Sequence, residues 1–203
     1  MFIKKILADL FPFYCLHCRR VVEVRGLCSR CFDLVRPLSL SGRCHICFKA
    51  TFKSSVCQFC LIDMPIYHSV ALFSNQGPSY SLIQSLKMGS LYALELIVFF
   101  LEQHLENLDW KPDMILSFHH LFLSKEKSAY YVAQQLGKRL NKPLSKIWCS
   151  FLFFDNTFVT KRLYHKKMLF LCENKTEFIE NKVQNIAKES DGYAYLLSLK
   201  TQL

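Results

Sequence analysis

The chain has 203 residues, of which 51% are apolar and 21% are charged. This composition leaves room for one medium domain, or for one domain joined to a small second one, and it excludes both a large multidomain assembly and a disordered protein. The formal net charge is +10 at pH 7, and it is uneven, because residues 1–60 hold ten Lys and Arg against three Asp and Glu. The basic surplus therefore lies with the cysteine-rich part of the chain.

The hydropathy of the sequence predicts neither a membrane-spanning helix nor a secretory signal. The longest apolar stretch, Leu91 to Leu101, is short for a bilayer span and contains Glu95. The start of the chain is broken by Asp9 and Pro12 and lacks a small-residue cleavage site, which argues against a secretory signal. We expect a cytoplasmic protein without membrane insertion.

Eight of the ten cysteines form four CxxC pairs, separated by nine, twelve and nine residues. In a reducing compartment such clustering indicates metal rather than disulfides. Two CxxC turns supply a tetrahedral set of thiolates, so eight cysteines predict two closed, structural Zn²⁺ sites. The predicted ligands are Cys15, Cys18, Cys28, Cys31, Cys44, Cys47, Cys57 and Cys60.

The pairing of the four CxxC units is a separate question. Consecutive pairs would form two zinc ribbons, whereas alternating pairs would form a cross-brace, and we expect the ribbons. An iron–sulfur cluster or a redox-active CxxC is the alternative chemistry, but a thioredoxin-like pair normally accompanies a βαβ unit, and none is predicted around these cysteines.

The composition changes after Cys60, which predicts a double zinc ribbon over residues 1–62 and an α/β domain over residues 63–203. Strands and helices alternate in the second part, a pattern typical of a mainly parallel sheet. The predicted helices lie around Leu82–Leu86, from Leu91 to Leu105 after an interruption at Gly89, over Ala129–Leu140 and over Thr176–Lys188. The predicted strands lie at Met114–Phe118, Phe151–Phe154, Met168–Leu171 and Tyr193–Leu199.

The cysteine-rich part also combines cations with aromatic side chains, a combination that can bind phosphates and stack on bases. A solvated basic face over a small aromatic core is the alternative interpretation. The candidate nucleic-acid-binding residues are Arg19, Arg20, Arg25, Arg30, Arg36 and Arg43 for the phosphates. The candidates for stacking on bases are Phe11, Phe13, Tyr14, Phe32, Phe48, Phe52 and Phe59.

The order of these parts resembles the ComF family of bacterial competence proteins, in which a double zinc ribbon precedes a phosphoribosyltransferase-like domain. Three passages carry the resemblance: Leu10-Phe11-Pro12 before the first CxxC pair, with the later pairs; Leu82 to Gly89, which is similar to the family's LIxxLKxxG stretch; and Ala133 to Leu140 after a strand. The resemblance implies a role in DNA uptake and natural transformation, together with the DNA-translocating ATPase that accompanies the family.

The family's phosphoribosyl diphosphate site consists of a strand, two adjacent acids and a Thr/Gly-rich turn, and only two residues of this chain match it in type, Glu173 and Thr176. Cys172 replaces one acid, no glycine follows, and Glu177 would place a negative charge beside a phosphate. Thr176 is equally well explained as a helix N-cap. The family's strand-end signatures around residues 115–128 are also lost, so we expect neither Mg²⁺ nor phosphoribosyl diphosphate to bind.

Three functional hypotheses follow. The first is a ComF-like protein that handles single-stranded DNA through its ribbons, with the transferase-like domain as a scaffold and without enzymatic activity. The second is an active phosphoribosyltransferase that uses Glu173 and Thr176. The third is a zinc-ribbon adaptor that binds another protein.

Overall fold

The computed structural model describes residues 12–38, 41–44, 46–51, 56–62, 67–107, 111–120, 127–149, 163, 165–174 and 176–200. Its strands are β1 (Phe13–Tyr14), β2 (Val21–Val22), β3 (Tyr67–Phe73), β4 (Met114–His120), β5 (Leu144–Cys149), β6 (Lys167–Asn174) and β7 (Tyr193–Lys200). Its helices are α1 (Ser29–Asp33), α2 (Gln58–Ile62), α3 (Gly77–Lys87), α4 (Leu91–Asn107), α5 (Lys127–Leu140) and α6 (Glu177–Ser190).

The larger part of the chain is an α/β domain around a five-stranded parallel sheet, as the alternating pattern predicts. The strand order is β3-β7-β6-β4-β5, and every neighbouring pair is parallel. Helix α6 covers one face of the sheet, and helices α3, α4 and α5 cover the other. Strands β6 and β7 lie in the interior of this order and are almost continuously apolar, as expected for parallel strands covered on both faces.

The predicted elements from Leu82 onward that fall within the described residues lie close to the observed ones. Strands β3 and β5 were not predicted, and they are the two edge strands of the sheet. The strand predicted at Phe151–Phe154 falls outside the described residues.

The interruption predicted at Gly89 is a tight connection between two helices. Gly89 has φ of +84°, a conformation that a side chain would strain, and its N–H donates to the carbonyl of Leu86. The N–H of Ser90 donates to the carbonyl of Ser85, which completes a Schellman C-cap of α3. The hydroxyl of Ser90 then accepts from the N–H of Ala93 and so caps the start of α4. This connection lies beside the carboxyl edge of the sheet.

The cysteine-rich part packs directly against the sheet domain. Val35 and Phe48 are buried in the same apolar cluster as the α3–α5 side of the sheet. The N–H of Leu38 donates to the carbonyl of Leu72 at 2.9 Å. The N–H of Ser69 donates to the carbonyl of Ile46 at 2.7 Å. Backbone groups of edge strand β3 are thereby paired with the cysteine-rich part.

No helix within the described ranges is both long and apolar enough to cross a bilayer.

The shared core predicts that the two parts unfold together. We expect Val35→Ala to lower the free energy of unfolding of the whole chain by about 1–3 kcal/mol, because it removes buried methyl groups from that core. Val24→Ala is the matched control, since Val24 is exposed in the same part of the chain. Urea unfolding followed by far-ultraviolet circular dichroism checks this, and a Val35→Ala curve that overlays the Val24→Ala curve would contradict it.

Candidate metal centres

The first four cysteines converge at one point in the structure. Cys15, Cys18, Cys28 and Cys31 place their four Sγ atoms within 4.8 Å of one another. A turn after Cys15 is closed by its N–H, which donates to the carbonyl of Arg20, and the N–H of Cys28 donates to Cys15 Sγ at 3.3 Å. Strands β1 and β2 pair on either side of the first CxxC turn, and α1 begins directly after Cys28.

The second four cysteines repeat this arrangement bond for bond. The Sγ atoms of Cys44, Cys47, Cys57 and Cys60 also lie within 4.8 Å of one another. The N–H of Cys44 donates to the carbonyl of Lys49, and the N–H of Cys57 donates to Cys44 Sγ at 3.3 Å. The residue after each first turn, Arg19 or Phe48, takes a left-handed φ near +60°. The repeated hydrogen bonds identify two copies of one structural unit.

The sulfur positions fit a tetrahedral metal site. For a Zn–S bond of about 2.3 Å, the edges of a sulfur tetrahedron are about 3.8 Å. Cys18 and Cys28 Sγ are 3.7 Å apart, and Cys47 and Cys57 Sγ are 3.6 Å apart. Both separations are far beyond the roughly 2.05 Å of a disulfide. The grouping is of consecutive pairs, as in two ribbons, and each group could hold one divalent cation.

The protein environment lowers the pKa of one cysteine in each unit, which favours the thiolate that a cation binds. Burial raises the pKa of Cys15, but the N–H groups of Cys28, Cys18 and His17 favour its thiolate more strongly, and the resulting pKa is about 6. Cys44 occupies the equivalent position and also has a pKa of about 6, since backbone N–H groups again outweigh its burial. Burial raises the pKa of Cys31 to about 12. Burial also raises the pKa of Cys60 in the second unit. Each unit therefore has one sulfur whose thiolate is favoured by backbone N–H groups and one buried sulfur that a bound metal would have to deprotonate.

The two candidate centres differ in their surroundings. Cys18 is exposed, whereas every cysteine of the second group is buried or partly buried. His17, inside the first CxxC turn, has its Nδ1 2.9 Å from the Ser81 hydroxyl of α3. His17 thus contacts the sheet domain, and the four sulfurs of its group are complete without it. The corresponding His45 lies outside the described residues.

Among the six candidate arginines, five are exposed: Arg19, Arg20, Arg25, Arg30 and Arg36. The guanidinium of Arg25 lies 4.8 Å from the centre of the Phe13 ring. Arg43 is half-buried, stacks on Phe48 at 4.8 Å and donates to the carbonyl of that residue. Arg43 therefore has a packing role in the second unit, whereas the other five face solvent around the first unit.

A cavity that the sequence did not indicate lies where the first unit meets α4. It has a volume of about 430 Å³, and its lining includes Phe13, Tyr14, Arg25 and Tyr92. The three rings are each at least one-third exposed. Only the proximity of Tyr92 to Phe13 is new, because Phe13, Tyr14 and Arg25 belong to the basic and aromatic set noted in the sequence.

The two residues that match the transferase pattern are both engaged within the protein. Glu173, at the carboxyl end of β6, is 3% exposed, and its Oε1 lies 2.5 Å from the Lys87 ammonium. Its Oε2 accepts from the Ser128 hydroxyl at 2.9 Å. The Thr176 hydroxyl accepts from the N–H of Ile179, which makes it the N-cap of α6. Cys172 is buried in the core between the sheet and α6.

Transferase chemistry at Glu173 and Thr176 would require these contacts to be broken. A sugar hydroxyl or a metal would have to displace Lys87 and Ser128 from the Glu173 carboxylate, and a phosphate would have to displace the α6 cap. Lys87 belongs to the helix end quoted for the ComF resemblance, but nothing in the sequence pairs it with Glu173. The pairing arises from the fold, since α3 ends at the same edge of the sheet as β6.

Comparisons with family models, with curated proteins and with solved structures found no match to this chain.

The grouping of the cysteines yields a direct prediction of metal stoichiometry. In consecutive groups, the double substitution Cys18→Ser/Cys28→Ser removes two ligands of one site and leaves the other site intact. Native mass spectrometry should therefore find one metal ion in this variant and two in the unsubstituted chain. Cys172→Ser is the control and should retain two ions. Loss of both ions from Cys18→Ser/Cys28→Ser would instead indicate alternating ligand sets.

The ion pair at the sheet edge predicts a stability effect. Lys87→Met would leave the buried Glu173 carboxylate with Ser128 as its remaining observed partner, so we expect a loss of about 1–3 kcal/mol in the free energy of unfolding. Adding Glu173→Gln should recover part of that loss, because no uncompensated charge is then buried. Chemical denaturation measures both, with the exposed Lys188→Met as the control. Equal stabilities of Lys87→Met and Lys188→Met would show that the pair contributes nothing.

Proposed function

We propose that this chain is a ComF-like protein that handles single-stranded DNA during DNA uptake, with two structural zinc ions in its cysteine groups and with the transferase-like domain as a scaffold. The order of two four-cysteine units followed by a parallel α/β sheet agrees with the resemblance in the sequence. Single-stranded DNA requires cations for its backbone and flat rings for its bases, and both are present on the first unit.

The metal in this proposal is zinc because of its ligands. Four thiolates in tetrahedral arrangement are the donor set of structural zinc sites, and they leave no open position for a substrate or water. The ions would fix the CxxC turns and so hold β1, β2 and α1 in place. In this account they take no part in a reaction.

The observation that carries the proposal is the cavity between the first unit and α4. Phe13, Tyr14 and Tyr92 offer partly exposed rings on which bases can stack, and Arg25 lies in the same lining. The exposed Arg19, Arg20 and Arg30 of the same unit can neutralise the phosphates that follow along the strand. A basic face without a stacking platform would bind duplex and single strands alike, whereas this surface favours unpaired bases.

We expect a labelled oligothymidine to bind at about 50 mM salt, with an affinity that falls steeply as salt rises. Tyr14→Ala should weaken binding roughly fivefold to 100-fold with an unchanged salt slope, because it removes stacking and no charge. Arg25→Gln should reduce the salt slope by about one. Fluorescence anisotropy measures both quantities.

Matched controls test whether oligothymidine binds at this surface or merely responds to positive charge and exposed aromatic rings anywhere on the protein. Tyr193 is exposed at the start of β7, and Lys188 is exposed on α6. Tyr193→Ala and Lys188→Gln should leave oligothymidine binding unchanged. No binding by micromolar protein at about 50 mM salt, or equal losses in the control variants, would overturn the proposal.

A second candidate function, that of a protein-binding adaptor, is favoured by the exposed face of α2. Phe59, Leu61 and Ile62 are each more than two-thirds exposed, while Cys60 on the same helix is buried toward the sulfurs. A short apolar patch on a rigid metal-binding unit suits protein contact. The partner suggested by the resemblance is the DNA-translocating ATPase of the competence machinery.

A pull-down with that ATPase in the presence of nuclease separates the adaptor from DNA bridging. We expect Phe59→Ser/Ile62→Ser to lose capture of the ATPase while it retains oligothymidine binding, because the substitutions lie on the second unit. Tyr14→Ala should show the opposite behaviour. Capture that disappears with nuclease, or that survives Phe59→Ser/Ile62→Ser, would count against the adaptor function.

A further inference from the structure

A second and larger cavity lies on the other side of the Gly89 turn, between that turn and the start of α5. Its volume is about 760 Å³, within the range of small-molecule sites. The residues that matter for its chemistry are Lys87, Leu91, Leu94, Lys127, Ser128 and Tyr131. No described residue of the turn between β6 and α6 belongs to this lining, but two lining residues, Lys87 and Ser128, contact Glu173 at the end of β6.

Part of the cavity lining is apolar. Leu86, Leu91 and Leu94 belong to it, and Leu91 is 72% exposed. The half-exposed ring of Tyr131, on α5, belongs to the same lining. Burial of exposed leucine and tyrosine surface is the main source of affinity for a small apolar body in such a site.

Among the described residues of the lining, Lys127 carries a positive charge that no carboxylate of the same lining balances. The charge of Lys87 is offset by Glu173, which is buried directly behind it and also holds Ser128. Lys127, in contrast, is exposed as the first residue of α5, and the positive end of this 14-residue helix adds to its field. The lining therefore has the electrostatics for a single negative charge rather than for a diphosphate.

We propose that this cavity binds a small monoanion with a flat apolar body, such as an aromatic carboxylate or sulfonate. The anionic group lies beside Lys127, and the apolar body lies between Leu91, Leu94 and Tyr131. This inference does not depend on DNA handling, because Lys127 and Tyr131 do not line the cavity beside Phe13, although Leu91 lines both cavities.

Two matched fluorescent probes test whether the charge of Lys127 contributes to binding. 8-Anilinonaphthalene-1-sulfonate carries one sulfonate on an aromatic body, and N-phenyl-1-naphthylamine is the neutral equivalent. The folded, metal-loaded chain should bind one sulfonate probe per molecule with saturation. Lys127→Glu should weaken binding of the sulfonate about tenfold or more and leave binding of the neutral probe unchanged, since a charge-assisted contact is lost. Lys188→Glu, on exposed α6, should alter neither.

Tyr131→Ser tests whether the aromatic body of the probe binds in this cavity. It should weaken binding of both probes, whereas Tyr193→Ser at the exposed start of β7 should weaken neither. Unchanged metal content and melting temperature establish that each variant is folded. The proposal is overturned if Lys127→Glu and Lys188→Glu bind the sulfonate equally, if Tyr131→Ser matches Tyr193→Ser, or if sulfonate binding fails to saturate near one probe per chain.

Discussion

The convergence of eight thiols into two groups is the constraint on which the rest of the structure depends. In the residues that the structure describes, the two units that carry them contain only two-residue strands and five-residue helices, too little regular structure to form a core alone. Their buried residues are largely the sulfurs themselves, with a few apolar side chains beside them. A divalent cation bound in each group would replace that missing core, and the backbone N–H groups aimed at Cys15 and Cys44 favour the thiolate charge that such a cation requires.

The position of these units determines what the sheet domain can offer. Val35 and Phe48 enter the main core, and Leu38 and Ile46 pair with the backbone of β3. This contact brings Phe13, Tyr14 and Arg25 against the start of α4, where the proposed DNA-binding cavity lies. At the carboxyl edge of the sheet, Glu173 is a buried residue that contacts Lys87 and Ser128. Parallel α/β sheets normally bind ligands at that edge, and the cavity proposed for the monoanion lies beside it, with Lys127 in its lining.

The sequence predicts the central strands and the long helices because their burial produces continuous or periodic apolar patterns. It fails at β3 and β5, which are edge strands: His68 and Ser69 interrupt one, and Ser145 and Lys146 interrupt the other. The spacing of the CxxC pairs is enough to predict the eight ligands, since a tetrahedral site needs only two such turns, but the spacing alone leaves open whether consecutive or alternating pairs share a site. The Lys87–Glu173 pair and both cavities depend on residues far apart in the chain, and no local pattern could have indicated them.

X-ray absorption at the zinc edge tests the central claim most directly. For freshly purified, reduced protein we predict two zinc ions per chain, each surrounded by four sulfur atoms at about 2.3 Å. A substoichiometric zinc content, a first shell that includes nitrogen or oxygen, or an iron signal in its place would contradict the account.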